Sequence, residues 1–244
     1  MSGNIRFHRV TKRFHRPGES APRPVLENFS LDVAPGELVA LVGASGIGKT
    51  TLLHLAAGLE HADGGRVELG PKTPRIGMLF QQPRLFDWLT AARNIEIASE
   101  AAGVDARIGR QLLAEVGLDD YASAYPASLS GGQRQRVALA RAFGVEPNVV
   151  LLDEPFSALD ELTARKLRIL LLRLWQQHKP SGLLVTHNTL EAALLADRIV
   201  VLAGTPARIE ATIEVDRARQ RDAEDPLVFQ RHRSIVETLE RAAA

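Results

Sequence analysis

Residues 43–50 read Gly43-Ala44-Ser45-Gly46-Ile47-Gly48-Lys49-Thr50 and directly follow a short apolar run, Glu37 to Val42. Glycines followed by lysine and threonine are typical of a phosphate-binding loop (P-loop) between a buried strand and a helix. The glycines let backbone N–H groups wrap around phosphate oxygens, and the start of the helix adds positive potential. We expect Lys49 to reach the terminal phosphates of a nucleotide and the Thr50 hydroxyl to bind Mg²⁺. The alternative is a glycine-rich turn that only caps a helix.

A second motif, Val149-Val150-Leu151-Leu152-Asp153-Glu154, is an apolar strand that ends in two acids. The carboxyl ends of strands in a parallel sheet converge on the ligand crevice. We therefore expect Asp153 to hold Mg²⁺, through water, and Glu154 to accept a proton from an attacking water. Taken alone, two acids after a strand are equally typical of a turn or a helix cap, but the P-loop favours the catalytic interpretation.

A third motif, Leu129-Ser130-Gly131-Gly132-Gln133, directly precedes the helical pattern of residues 134–143. Glycines and a hydroxyl at a helix N-terminus favour anion binding. The chain thus has two such helix starts, of which only the P-loop carries a lysine. One hypothesis is that Leu129 to Gln133 completes a nucleotide site on another subunit, and a plain helix cap is the alternative.

Short runs rich in Val, Ile and Leu alternate with helical patterns along most of the chain. This order predicts an α/β fold with a mostly parallel sheet covered on both sides by helices. The predicted strands are Glu37 to Val42, Arg75 to Phe80, Val149 to Leu152, Gly182 to Thr186 and Arg198 to Leu202. The predicted helices are Lys49 to Gly58, Arg107 to Val116, Gln133 to Gly144, Leu162 to His178 and Leu190 to Ala196.

Two parts of the chain depart from this alternation. Residues 83–146 show helical patterns without a convincing strand and predict an inserted helical subdomain. Alternating residues in Ile5 to Val10 and Leu26 to Val33 predict antiparallel edge strands. We expect one domain, 1–244, with a core of about 1–82 and 147–215 and a tail of about 205–244 that forms a short strand and a surface helix.

The composition excludes several classes of protein. The 244 residues include 30 Lys and Arg against 29 Asp and Glu, for a net charge of +1, with 45% hydrophobic residues and no cysteine. This balance argues against a disordered chain, a disulfide scaffold and a thiolate metal site. We see no membrane-spanning stretch and no signal peptide, and so expect a cytoplasmic chain. The charge gives no electrostatic argument for a nucleic-acid partner.

In this order, the motifs resemble the nucleotide-binding subunit of an ATP-binding cassette (ABC) transporter. The resemblance covers about Asn4 to Gly204, and Leu129 to Gln133 is its most specific part. It implies a P-loop NTPase (ABC ATPase) core with an antiparallel β edge subdomain and an inserted α-helical subdomain. It also implies ATP and Mg²⁺ as ligands and a homodimer packed head to tail. Each ATP would lie between one P-loop and the second subunit's copies of Ser130 and Gly132.

The resemblance assigns roles to further residues. Phe14 stands where the family stacks an aromatic ring on adenine, with an edge-strand or core phenylalanine as the alternative. Gln81, preferred to Gln82 because it follows the predicted strand directly, would touch Mg²⁺ and the attacking water and sense the membrane partner. His187 would face the γ-phosphate, with a helix cap or a surface residue as the alternative. Asp160 would lie at the dimer interface and link the two sites; its alternative is an ordinary helix N-cap, and both roles can hold together. Further nucleotide contacts are implied for Gly43, Ser45, Gly46, Gly48, Thr51 and Gln133.

The sequence departs from the family beside His187. The family commonly has an acid at the next position, where this chain has Asn188. Since asparagine also caps helices, we expect little functional consequence.

A single cassette without a membrane segment resembles the ATPase subunit of bacterial importers. Such importers have separate transmembrane permease subunits and a solute-binding protein, and their ATPase lies on the inner face of the cell membrane. The stretches from Phe80 to Thr90, Arg93 to Ile95 and Arg221 to Pro226 are similar to the nitrate, sulfonate and taurine branch, which implies a small anionic solute. Phe86, Trp88 and Leu89 are candidates for the groove that receives the permease, with the core of the helical lobe as the alternative.

Other functions remain as alternatives. A P-loop kinase or GTPase would have no use for Leu129 to Gln133. A non-transport ABC protein acting on nucleic acid is less favoured, because the stretch between Lys49 and Ser130 is too short for a long coiled-coil insertion and the chain has one cassette. An ATPase that drives lipid or lipoprotein extraction is poorly separated from an importer by the sequence.

Overall fold

A computed structural model describes residues 3–15, 18, 21–215 and 226–243 of the chain. Most of the tail motif from Arg221 to Pro226 therefore lies outside the described residues. The strands are β1 (Ile5–Phe14), β2 (Arg23–Val33), β3 (Leu38–Gly43), β4 (Gly64–Leu69), β5 (Ile76–Leu79), β6 (Val149–Asp153), β7 (Ser181–Val185), β8 (Arg198–Ala203) and β9 (Arg208–Glu214). The helices are α1 (Lys49–Ala56), α2 (Ala91–Ala101), α3 (Arg107–Glu115), α4 (Gly131–Gly144), α5 (Glu161–His178), α6 (Thr189–Leu195) and α7 (Pro226–Ala243).

The chain forms two compact units. The central unit consists of residues 73–180, and the terminal unit combines residues 3–72 with residues 181–243. Within the part of the chain that the structure describes, no helix is long and apolar enough to cross a membrane.

The terminal unit is built around β3, whose six residues are all buried. This strand is parallel to β7 on one side and to β8 on the other, with Leu41 level with both Val185 and Val200. A strand paired on both edges and covered on both faces has no polar position, which explains the uninterrupted apolar run. Strand β9 adds to β8 in the antiparallel direction.

A second sheet of the terminal unit is antiparallel, in the order β2-β1-β4. Strands β1 and β2 agree with the predicted antiparallel edge, and β1 continues to Phe14. The sequence did not predict β4, which pairs with β1 through Val67 opposite Phe7 and Leu69 opposite Ile5. Two glycines and two charged residues fill the other positions of β4, so its apolar signal is weak.

The central unit contains the parallel strands β5 and β6 and the helices α2 to α5. Helices α2, α3 and α4 follow one another with no strand between them, and α2 and α3 both pack on α4. Helix α4 begins directly after Ser130, and α5 begins directly after Asp160. The start of α4, which carries the third motif, and the start of α5, which follows Asp160, thus lie in the same unit.

Candidate functional site

The predicted P-loop is a loop between β3 and α1 in the terminal unit. Gly43 ends the strand, Ser45 and Gly46 lie exposed in the loop, and Thr50 and Thr51 are in the first turn of the helix. The Lys49 ammonium donates to the carbonyls of Gly43 at 2.7 Å and Ala44 at 2.8 Å. This lysine is only 6% exposed, so the loop wraps around a fixed positive charge.

Gly48 precedes α1 in a conformation that requires glycine. Its φ is +114°, and a Cβ there would lie 2.7 Å from Val25 Cγ1. A side chain would meet both an unfavourable backbone and a stiff β-branched neighbour. The close approach of the loop to β2 therefore depends on this residue.

Phe14 lies at the end of β1 and lines a small cavity together with Gly46 and Ile47 of the P-loop. Its ring is 36% exposed, with the Lys12 ammonium 4.9 Å from the ring centroid. A core position, one of the alternatives for Phe14, is not observed. An exposed aromatic face beside a P-loop suits the stacking of a planar base.

His187 follows β7, the strand that is parallel to β3. Its exposed side chain therefore lies at the same edge of the sheet as the P-loop, and the Thr186 N–H donates to the Leu41 carbonyl at 3.4 Å. Helix α6 is capped by Asn188, which accepts from Leu190 and Glu191 at 3.0 and 3.2 Å. Asparagine at this position does cap the helix, as expected, and His187 is not the cap.

In the central unit, the carboxyl ends of β5 and β6 bring Gln81, Asp153 and Glu154 to one edge of their ladder. Asp153 is the buried last residue of β6, and Glu154 follows with a φ of +43°. The exposed Gln81 amide donates to the Ser157 hydroxyl at 3.4 Å, and that hydroxyl donates to the Glu154 carbonyl at 3.1 Å. This chain of contacts supports the choice of Gln81 over Gln82.

The third motif forms a complete capping box at the start of α4. The Gln133 N–H donates to the Ser130 hydroxyl at 3.2 Å, and the Ser130 N–H donates to Gln133 Oε1 at 2.8 Å. The helix cap, which was the alternative interpretation of this motif, is therefore present. The box engages the N–H groups of Ser130 and Gln133, so it is compatible with anion binding through the N–H groups of Gly131 and Gly132 at the same helix start.

One groove of the central unit contains both Ser130 and Asp160. Gly132 borders it, and a Cβ on Gly132 would lie 2.7 Å from Thr163 Cγ2 in the first turn of α5. Asp160 caps α5 by accepting from the Thr163 N–H at 3.0 Å. Hydrogen bonds from the Thr163 side chain and N–H lower the pKa of Asp160, so its carboxyl stays ionised near neutral pH.

Two polar residues of α4 that hold loops of the central unit were not predicted from the sequence. The buried Gln135 amide donates to the Pro155 carbonyl at 2.7 Å. Arg141 donates to the carbonyls of Pro83 and Arg84 at 2.7 and 2.8 Å, and burial lowers its pKa. The only sequence signal was polar residues at helical spacing among apolar ones, which is common on half-buried helices.

An aromatic pair is exposed on the loop before α2. Trp88 is 73% exposed, with its ring centroid 5.2 Å from that of Phe86. Leu89 is half-buried, and the core alternative does not hold for Trp88. The fully buried Asn94 amide donates to the carbonyls of Phe86, Leu89 and Thr90 at 3.0 to 3.1 Å, which fixes the shape of this loop.

Comparison with known proteins gives consistent matches. Residues 26–157 match the family described as ABC transporter. The aliphatic sulfonates import ATP-binding protein SsuB 1 of Xanthomonas axonopodis pv. citri is 46% identical over 98% of this chain and 97% of its own length. SsuB 3 of Nocardia farcinica, which carries the same description, is 48% identical over 93% of this chain and 90% of its own.

Solved structures agree with these matches. The ATP-binding cassette MJ0796, a dimer in a post-hydrolysis state bound to ADP and Pi, has a TM-score of 0.75 and 29% identity. The similarity covers 87% of this chain and 99% of that one. The predicted fold class and the resemblance to the sulfonate branch are both confirmed. With a family match over more than half of its length and near-complete relatives above 40% identity, the chain belongs to the ABC transporter family.

Proposed function

We propose that this chain is the ATP-hydrolysing subunit of a bacterial importer of small anionic solutes, with aliphatic sulfonates as the first candidates. The observation that carries the proposal is the 46% identity to a sulfonate import ATP-binding protein over 98% of the chain. The buried lysine that donates to the P-loop carbonyls supports it, since a cation held in a glycine-rich loop at a helix start suits a polyphosphate. These relatives favour import over lipid extraction or work on nucleic acid.

In this proposal, the P-loop binds the phosphates of ATP. The backbone of Gly43, Ser45, Gly46 and Gly48 surrounds them, with Lys49 on the terminal phosphates and Thr51 close by. The exposed ring of Phe14, beside Gly46 and Ile47, stacks on adenine. Its position at the P-loop is what supports this role.

The residues assigned to Mg²⁺ fit that ion chemically. Thr50 offers a hydroxyl, Asp153 a carboxylate and Gln81 an amide oxygen, and Mg²⁺ prefers such hard oxygen ligands alongside substrate phosphates. When bound, Mg²⁺ would neutralise charge that develops on the transferred phosphoryl group. Each of these residues would supply one such oxygen.

Hydrolysis needs a base and an orienting group. Glu154 accepts a proton from the attacking water, and Gln81 helps to orient that water. His187 donates to the γ-phosphate; it lies between the buried Thr186 and the cap residue Asn188, whose N–H donates to the Thr186 hydroxyl at 3.0 Å. Its exposed side chain at the same sheet edge as the P-loop supports this role.

We further propose that two copies form a homodimer with shared sites. Ser130, Gly132 and Gln133 of one copy would contact the nucleotide bound to the other, and Asp160 would link the two sites. The groove that contains Ser130 and Asp160 is open to such a contact. The related cassette MJ0796 is itself dimeric.

The remaining partners follow from the importer role. Separate permease subunits would place the chain on the inner face of the cell membrane, with a solute-binding protein on the other side. The exposed Trp88 and its neighbour Phe86 offer an apolar surface for the permease. Nucleic acid is not proposed as a partner.

Glu154→Gln tests the hydrolytic part. We expect this variant to bind ATP like the wild type but to hydrolyse it at least about 100-fold more slowly, since general-base catalysis contributes about that factor or more. It should also accumulate an ATP-dependent dimer, measured by size-exclusion chromatography with light scattering. Normal hydrolysis by a monomeric variant would contradict the assigned roles.

Co-purification tests the transport part. The chain should co-purify from a membrane extract with a polytopic permease, and Trp88→Ser should weaken this association without changing ATP binding. Leu59→Ser is the matched control, because Leu59 is exposed in the other unit. Retention of the permease by Trp88→Ser would argue against this docking surface.

A further inference from the structure

Glu154 has a backbone conformation that is unfavourable for a glutamate. Its φ of +43° lies in the left-handed region, where the Cβ crowds the following carbonyl oxygen. Pro155 follows, and a proline ring restricts the residue before it to extended conformations. Such a conformation persists only where neighbouring contacts hold it.

Several contacts hold residues 154–157. Ser157 donates its N–H and its hydroxyl to the Glu154 carbonyl, at 3.3 and 3.1 Å. Phe156 is buried at 2% exposure. A further hydrogen bond comes from helix α4, whose Gln135 amide donates to the Pro155 carbonyl at 2.7 Å.

Two side chains from other elements reach this turn: the exposed Gln81 donates to the Ser157 hydroxyl, and the buried Gln135 of α4 donates to the Pro155 carbonyl. Gln135 is 3% exposed, so neither its amide nor the carbonyl it reaches can easily exchange this bond for water. It lies in the second turn of α4, whose first turn carries Gly132 and whose cap is Ser130. A displacement of the start of α4 is therefore transmitted to the residue next to Glu154.

We propose that Gln135 is a positioning residue for ATP hydrolysis. Its bond to the Pro155 carbonyl keeps Glu154 in the left-handed conformation and ties the carboxylate to the helix that would contact the second subunit's nucleotide. Engagement of Ser130 and Gly132 would then set the position of the base in the same copy of the chain. This inference rests on the proposed role of Glu154 as general base.

Gln135→Met tests the inference, because methionine keeps the length of the side chain and removes the donor. We expect kcat to fall about 10- to 100-fold, as for small misplacements of a catalytic group, with KM for ATP unchanged. Gln111→Met on α3 is the control, because that glutamine is exposed and its substitution should leave kcat unchanged. Gln135→His, which keeps an N–H donor, should retain more kcat than Gln135→Met, and equal losses would overturn the inference.

A double variant separates positioning from a general loss of structure. If Gln135 acts through the Glu154 carboxylate, Gln135→Met should not lower the residual rate of Glu154→Gln further. Multiplying losses would overturn the inference, as would wild-type kcat in Gln135→Met. Both outcomes are distinct from failure of the proposed function, in which the wild type hydrolyses no ATP or Glu154→Gln is as fast as the wild type.

Discussion

Gly48 combines two constraints, a positive φ and a close neighbouring side chain, of which Gly58 meets only the first. Gly58 also has a positive φ, of +70°, but a Cβ there would find open space. Gly48 adds the contact with Val25 Cγ1 at 2.7 Å. Substitutions at Gly58 and Gly48 therefore separate the effect of backbone conformation from the effect of close packing at the P-loop.

We expect Gly58→Ala to lower the free energy of unfolding by about 1 kcal/mol, the cost of a left-handed alanine. Gly48→Ala should cost about 1–3 kcal/mol more, because the methyl group overpacks against Val25. It should also weaken ATP binding, since the loop would have to move away from β2. Urea unfolding and nucleotide titration measure both effects, and equal stability of the two variants would contradict the packing argument.

Helix α4 makes side-chain hydrogen bonds at both of its ends. Its start is capped by Ser130, and its last turn contains Arg141, which donates to two successive carbonyls of the loop that follows Gln81. The guanidinium of Arg84 in that loop lies 4.3 Å from the centroid of the Phe80 ring. The position of Gln81 thus depends on the end of the helix whose start would meet the second subunit.

Arg141→Lys should loosen this loop, because one ammonium cannot reproduce the planar fork that reaches both carbonyls. We expect the free energy of unfolding to fall by roughly 1.5–3 kcal/mol, the contribution of one hydrogen bond made by a charged group. Cleavage by protease near residue 84 should become faster. Arg110→Lys on the exposed face of α3 serves as the reference. Equal stability of the Arg141→Lys and Arg110→Lys variants would refute the role of Arg141 in holding this loop.

Whether an element could be predicted from the sequence depends on where its polar residues lie. Strands β3, β6 and β7 are buried throughout, so each gave an apolar run, interrupted only by Asp153 at the end of β6 and Ser181 at the start of β7. Helix α2 was not predicted individually, because its buried face includes the polar Asn94 and Ser99. The P-loop and the cap residues follow from local patterns, whereas the partner of Gln135 is a carbonyl 20 residues away, which no local pattern encodes.

The proposed dimer makes a prediction for the whole assembly. Lys49→Ala removes the P-loop charge, and Ser130→Asp keeps the helix cap but places a negative charge where a phosphate would bind. Each variant alone should be inactive. Mixed in equal amounts they should recover up to about a quarter of the wild-type rate, because half of the dimers would be mixed and each would retain one intact site.

The measurement is ATP hydrolysis after mixing and re-equilibration of the two variants. Lys49→Ala mixed with Lys49→Ala/Ser130→Asp is the control, because no combination of these chains restores an intact site. Activity in the control or none in the mixture would contradict shared sites.

The two neighbours of β3 have a consequence for synthesis on the ribosome. Strand β3 ends at residue 43, but β7 and β8, which pair with its two edges, begin only at residues 181 and 198. The ribosome synthesises the chain from its N-terminus, so β3 is complete long before either of its partner strands has been synthesised. A nascent chain stalled in the central unit would expose it to neighbouring nascent chains, and such exposed strands drive aggregation. Early termination products of this gene should therefore be insoluble even though they contain the complete P-loop.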